Sequence, residues 1–196
     1  MKNKILLVGA GGHAISCIDV IEKNNKYTIY GLIDNNRTGK IMGYNIIGED
    51  KYLEEILINK KVRSAIISVG QIRSYLIREI LYKKFKTLGF KFPTIISPLS
   101  YVSKNAKIGE GTIIMHGCII NSGATIGNNC IINTNALIEH SVEIKDYSHI
   151  STNATINGDV LIQKGSFIGS GSIIKEGVTI SKNSFIKANS FVKSSN

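Results

Sequence analysis

From Val102 onward the apolar positions follow a period of six. Positions 102, 108, 114, 120, 126, 132, 138, 144, 150, 156, 162, 168, 174, 180, 186 and 192 are all Ile or Val, and two residues before each stands Ser, Ala, Thr, Cys or Val. A helix repeats every 3.6 residues and a half-buried strand every two, and neither template passes through all sixteen positions. A hexad repeat of this length predicts a coil of short strands, three hexads to a turn, each aliphatic side chain pointing inward and stacking on its counterpart one turn later. Coils of this kind pair about 4.8 Å apart, with large residues filling the axis and small ones leaving room at the corners. Gly or Asn often follows the aliphatic residue, as at Gly109, Asn121, Gly127, Asn133, Asn157 and Gly169, which predicts left-handed backbone there. The expected architecture of residues 97–196 is a parallel β-helix.

The first 96 residues read differently. Lys4 to Val8 predicts a buried strand, Gly9 to His13 a tight turn, Ala14 to Lys23 a helix and Tyr27 to Asp34 a second strand, the start of a βαβ unit. Ser64 to Val69 predicts a third strand ending at Gly70, followed by a helix over Gln71 to Leu88 and a strand from Phe92 to Ile96 that leads into the repeat. Glycines let the backbone approach a bound group, amides at a helix start favour anionic oxygens, and Asp34 is placed to accept from a sugar hydroxyl. A domain over 1–96 has room for one mononucleotide-sized unit rather than a full NAD-binding domain. The plainer alternative is that Gly9, Gly11 and Gly12 serve strand-to-helix packing and that His13 is an exposed cap.

Composition narrows the class. With 43% hydrophobic and 19% charged residues, disorder and collagen are excluded. No apolar run approaches the roughly 18 residues of a membrane span, so a cytoplasmic protein is expected. Cys17, Cys118 and Cys130 form no CxxC pair and are expected to be reduced thiols packed in the core. The net charge of +10 is uneven, with 16 Lys/Arg against 8 Asp/Glu in residues 1–96 and 8 against 6 in residues 97–196. That excess suits a phosphorylated small molecule; no aromatic stripe or nucleic-acid-binding motif accompanies it, so no nucleic-acid partner is expected. Counted modulo eighteen, His116, His140 and His149 occupy three different places around the coil, so no metal site is expected within one chain.

The hexad pattern resembles the left-handed β-helix of the hexapeptide-repeat acyltransferases, and the resemblance supplies the handedness. A Rossmann-like domain starting Gly9-Ala-Gly-Gly-His13, then a solenoid with Ile138-Glu-His140 and Tyr147-Ser-His149-Ile-Ser151, resembles one branch in particular. This is the family of bacterial sialic acid O-acetyltransferases and UDP-4-amino-sugar N-acetyltransferases, the bacillosamine enzyme among them. The resemblance implies acetyl-CoA as co-substrate and a homotrimer with sites between subunits; with Cys118 and Cys130 in the inward small-residue column no covalent nucleophile stands out, so direct transfer in a ternary complex is expected. It implies His140 as general base, His149, Gly158, Ser170 and Ala188 as coenzyme contacts, and Gly11, Gly12, His13, Asp34, Asn35 and Gly70 as contacts of the sugar nucleotide. Two departures stand out. Ser141 follows the histidine where bacillosamine enzymes have glutamate, and the chain ends Phe191-Val-Lys-Ser-Ser-Asn196 where related enzymes carry a Gly-x-Pro-Ala-Lys segment. The expected function is N-acetylation of a UDP-linked 4-amino sugar, with O-acetylation of free or CMP-linked sialic acid as the alternative. A noncatalytic sugar-nucleotide-binding scaffold is the alternative of another class.

Overall fold

The computed structural model describes residues 2–48, 52–59 and 61–195. Two compact units are present, one formed by residues 1–70 with 76–93 and the other by residues 71–75 with 94–196.

In the first unit the order is β1 (Asn3–Val8), α1 (Gly12–Asn24), β2 (Tyr27–Ile33), β3 (Lys40–Ile41), β4 (Tyr44–Asn45), α2 (Leu53–Asn59), β5 (Ser64–Ile67) and α3 (Leu76–Thr87). A three-stranded parallel sheet has the order β2-β1-β5, and β3 and β4 pair as a small antiparallel hairpin. Ile5 to Val8 of β1 are all buried, as a central strand covered on both faces requires. On one side Ala14, Cys17, Ile18 and Ile21 of α1 recur at helical spacing and are buried. The cluster containing Leu6, Val8, Ile67, Phe85, Phe90 and Phe92 forms the other part of the core. The helix expected from Gln71 begins at Leu76 instead, because residues 71–75 belong to the second unit and Gln71 is tied down there. Once the helix starts, the buried Arg78 donates through Nη1 to Ile67 O at 2.9 Å and Val69 O at 2.5 Å, closing the carboxyl end of β5.

The second unit is a solenoid of two-residue strands from Ile95–Ile96 to Phe191–Val192, arranged in three parallel sheets of six, five and six strands. Each strand pairs with the one eighteen residues on, as Ile119–Ile120 does with Leu137–Ile138. The aliphatic column faces inward, with Ile114, Ile120, Ile132, Ile138, Ile150, Ile156, Ile162, Ile168 and Ile174 at 0% exposure. Burying one such side chain contributes roughly 1.5–3 kcal/mol. The small-residue column is buried through the middle coils, where its hydroxyls donate to carbonyls fifteen residues ahead. Thr112 Oγ1 donates to Gly127 O at 2.7 Å, Ser166 Oγ to Ser181 O at 2.9 Å and Ser172 Oγ to Lys187 O at 2.8 Å. This explains why Ser and Thr share the column with Ala, Cys and Val.

The left-handed residues do not sit where the sequence pattern placed them. They lie three residues after the aliphatic position, at every sixth residue from Gly111 through Asn129, Asn135, Ser141, Tyr147 and Asp159 to Asn189. Gly109, directly after an aliphatic residue, is glycine for close approach: a Cβ there would lie 2.5 Å from the carbonyl carbon of Gly127 in the next coil.

Candidate active site

The corner after Leu137–Ile138 carries Glu139, His140 and Ser141. Ser141 takes φ 62°, the turn conformation of its column, and this carries His140 outward into solvent. The imidazole lies against Gly158 of the next coil, where a Cβ would stand 2.7 Å from His140 Cε1 and 2.8 Å from Nε2. The side-chain partner of the ring is Ser141 Oγ, 3.4 Å from Nδ1. Three carboxylates near in sequence are engaged elsewhere. Glu139 accepts from Asn121 Nδ2 at 2.9 Å, Glu143 pairs with Lys145, and Asp146 accepts from the Asn128 amide at 2.7 Å.

His149 is buried and both ring nitrogens have partners. Nδ1–H donates to Gln71 O at 2.6 Å, and Nε2 lies 3.2 Å from Asn133 Nδ2, whose amide is oriented because Oδ1 accepts from Thr134 N at 2.8 Å. Since a carbonyl only accepts, these partners select the neutral Nδ1–H tautomer. Gln71 Nε2 donates in turn to Tyr147 O at 2.6 Å, and Tyr75 stacks on Tyr147 with ring centroids 5.4 Å apart. Residues 71–75 are thereby fastened to the solenoid, a role for His149 that its sequence context did not reveal.

Ser170 Oγ meets Ser151 Oγ at 2.9 Å, and Ala188 stands one coil beyond Ser170. These two residues follow the strands Phe167–Ile168 and Phe185–Ile186, which belong to a different sheet from Leu137–Ile138. Within one chain, His140 and Gly158 therefore occupy one corner, and Ser170 and Ala188 another. His116 stands on the corner column of Ser170 and Ala188, three coils before Ser170, with its Nδ1 2.5 Å from Ser97 Oγ. Among the described residues no group of three His, Cys, Asp or Glu side chains stands close enough to hold a metal ion.

In the first unit a cavity of about 200 Å³ opens at the carboxyl ends of the parallel strands, the edge at which open α/β sheets bind ligands. Asp34 and Asn35 line it, and so do Asn36, Ile77 and Leu81, which sequence reasoning missed. The spacing Ile77, Leu81, Phe85 on α3 was the available signal for the apolar wall. Asp34 is more committed than expected: Oδ2 accepts from the Ala10 amide at 2.8 Å and Oδ1 from the Asn36 amide at 2.9 Å. Each carboxylate oxygen keeps a further lone pair for a ligand. Gly11 and Gly12, at the start of α1, have open space where a Cβ would be, so their backbone is free to approach a bound group. Gly70 packs against His13, where a Cβ would lie 3.4 Å from His13 Cβ.

The chain is similar to characterised proteins over both units. The family model described as PglD N-terminal domain matches residues 4–85, and the one described as bacterial transferase hexapeptide (six repeats) matches 105–140 and 123–158. The acetyltransferase domain of PglB from Neisseria gonorrhoeae FA1090 is 26% identical with a TM-score of 0.91, over 99% of this chain and 93% of that one. A histidine-to-alanine mutant of GDP-perosamine N-acetyltransferase from Caulobacter crescentus, in complex with CoA and GDP-perosamine, is 26% identical with a TM-score of 0.93, over 98% and 90%. WeeI from Acinetobacter baumannii AYE shares the fold at 20% identity, with a TM-score of 0.75 over 98% and 97%. No curated protein sequence matches. The architecture is thus a small Rossmann-like unit followed by a left-handed parallel β-helix, and the chain joins a PglD N-terminal domain to hexapeptide transferase repeats in the arrangement of the acetyltransferases it is similar to.

Proposed function

We propose that the protein moves the acetyl group of acetyl-CoA onto the amine of a UDP-linked 4-amino sugar, with His140 as general base. The observation that carries this reading is the exposed His140 imidazole laid against Gly158 on a hexapeptide corner, in a chain whose structural relatives are sugar-amine acetyltransferases. His140 takes the proton as the amine attacks the thioester carbonyl, and the imidazolium returns it to the departing thiolate. No acyl-enzyme is needed. Burial pushes the Cys118 thiol up to about 11 and the Cys17 thiol up to about 12, so neither supplies a nucleophile near neutrality.

The first unit takes the nucleotide. Gly11, Gly12 and His13 at the start of α1 face its phosphates, while Asp34, Asn35 and Gly70 border the sugar and base. Gly158 contacts the thiol end of the coenzyme beside the base. Ser170 and Ala188 contact the rest of the arm, with His149 buried two residues before Ser151, the partner of Ser170.

Since those residues divide between two corners of one solenoid, a complete acetyl-transfer site needs a second copy of the chain. The sheet that leads to His140 presents Tyr101, Ile119, Leu137, Ile173 and Phe191 outward, an apolar face suited to that contact in a homotrimer. Ser141 favours a second reading, O-acetylation of sialic acid, which the same assay separates when run with sialic acid as the acceptor. The test is coenzyme A release with acetyl-CoA and a UDP-4-amino sugar. Wild type is expected to turn over, and His140→Ala to lose at least about a hundredfold in kcat with its assembly unchanged. Unchanged turnover in that variant removes His140 as base.

A further inference from the structure

A histidine base works best when an acceptor at Nδ1 fixes its orientation and stabilises the imidazolium. At His140 that position holds only the Ser141 hydroxyl, at 3.4 Å, and a hydroxyl carries no charge. The nearby carboxylates of Glu139, Glu143 and Asp146 are engaged by Asn121, Lys145 and the Asn128 amide, and Glu176 lies 3.8 Å from Lys175 Nζ. Asp159 is different. Its carboxylate is exposed and makes no side-chain hydrogen bond among the described residues, yet its backbone is locked beside the base: the Asp159 amide donates to His140 O at 3.2 Å.

Asp159 also stands one coil beyond Ser141 in the same left-handed column, with φ 57° against 62°. In that column an asparagine side chain leans over the residue one coil back where that residue is glycine. A Cβ on Gly165 would meet Asn183 Oδ1 at 2.7 Å, and Cβ atoms on Gly117 and Gly171 would meet Oδ1 of Asn135 and Asn189 in the same way. Ser141 has a Cβ where those glycines have none, so the Asp159 carboxylate takes another rotamer there, and with coils about 4.8 Å apart it stays within a side-chain rotation of the Ser141 hydroxyl.

We propose that Asp159 is the positioning carboxylate of His140, acting through Ser141. The Nδ1–H of His140 donates to Ser141 Oγ and the Ser141 hydroxyl donates to Asp159, which leaves the Nε2 lone pair for the proton of the attacking amine. No proton leaves the imidazole except to the departing thiolate. The proposal rests on His140 being the base, and its failure is distinguishable from the failure of that assignment.

The experiment measures kcat and KM for the full-length protein and for Asp159→Asn, Ser141→Gly, their combination, and Ser141→Glu in the Asp159→Asn background, with His140→Ala as reference. Glycine at 141 suits the left-handed backbone, so that variant removes the hydroxyl without straining the fold. Both single variants are expected to lose about ten- to a hundredfold in kcat with each KM within about twofold. The combination is expected to be no worse than either alone, and Ser141→Glu to restore most of the activity by placing a carboxylate next to the base. Unchanged kcat in Asp159→Asn and Ser141→Gly, with His140→Ala inactive, overturns the proposal and leaves the base in place. A rise in KM alone also overturns it, because it marks Asp159 as a substrate contact. Full activity in His140→Ala removes the base itself.

Discussion

The absence of a side chain at residue 158 decides where the imidazole of His140 lies. Gly158→Ala puts a methyl within contact of the ring, so the imidazole is displaced while the left-handed turn one residue later is untouched. The expected outcome is a fall in kcat of about ten- to a hundredfold, with a melting temperature unchanged within about 3 °C, read from steady-state kinetics and calorimetry on one preparation. The thiols give a second prediction. With Cys17 pushed up to about 12 and Cys118 up to about 11 by burial, both stay protonated and covered. A maleimide at about pH 8 is therefore expected to leave them unlabelled in the native protein and to label them once it is unfolded. Rapid native labelling of either contradicts their placement. At this scale counting hexads was enough to put His140 on a corner of the solenoid, where the structure has it exposed. The partners of His149 and the Ala10 amide held by Asp34 were not legible, since each is made by a residue distant in the chain.

Among the elements, the solenoid is held by stacked aliphatic residues, each between two neighbours eighteen positions away. Ile132 sits between Ile114 and Ile150, all three fully buried. Ile132→Ala leaves a cavity that a coil locked on both sides cannot collapse around, and a loss of about 2–5 kcal/mol is expected in chemical denaturation. A loss under about 1 kcal/mol would mean that the inward column is less tightly packed than the structure has it. The hexad period made this part of the fold legible, as it combines inward direction and coil length in one count. Two features escaped it. Left-handed backbone falls three residues after the aliphatic position, and the column tolerates Ser141 and even Tyr147, so composition there is a weak marker. The start of α3 escaped because residues 71–75 are helix-compatible locally. Tyr147, His149 and Phe185 of the solenoid capture Gln71, Tyr75 and Arg73 instead.

At the scale of the whole molecule, the proposed site divides between two corners of one chain, and the proposal therefore makes assembly part of the chemistry. Replacing Ile119 and Ile173 together by Glu on the apolar face is expected to yield particles of the single-chain mass of 21.4 kDa. Those particles are expected to retain the nucleotide-binding unit and to have no acetyl-transfer activity, as judged by light scattering and turnover. Intact activity in such a monomer contradicts a site shared between chains. The division of labour between a Rossmann-like unit and a solenoid was readable in advance, since the switch from strand–helix alternation to hexads is abrupt. The acceptor was not, because the side chains lining the cavity at the strand ends of the first unit, such as Asn36 and Ile77, follow no short motif. The most direct measurement is therefore to incubate the protein with acetyl-CoA and UDP- and GDP-linked 4-amino sugars, CMP-sialic acid and free sialic acid, and to weigh every product. A gain of about 42 Da, one acetyl group, on a UDP-linked 4-amino sugar is the predicted result. A gain on sialic acid with none on any amino sugar would contradict it.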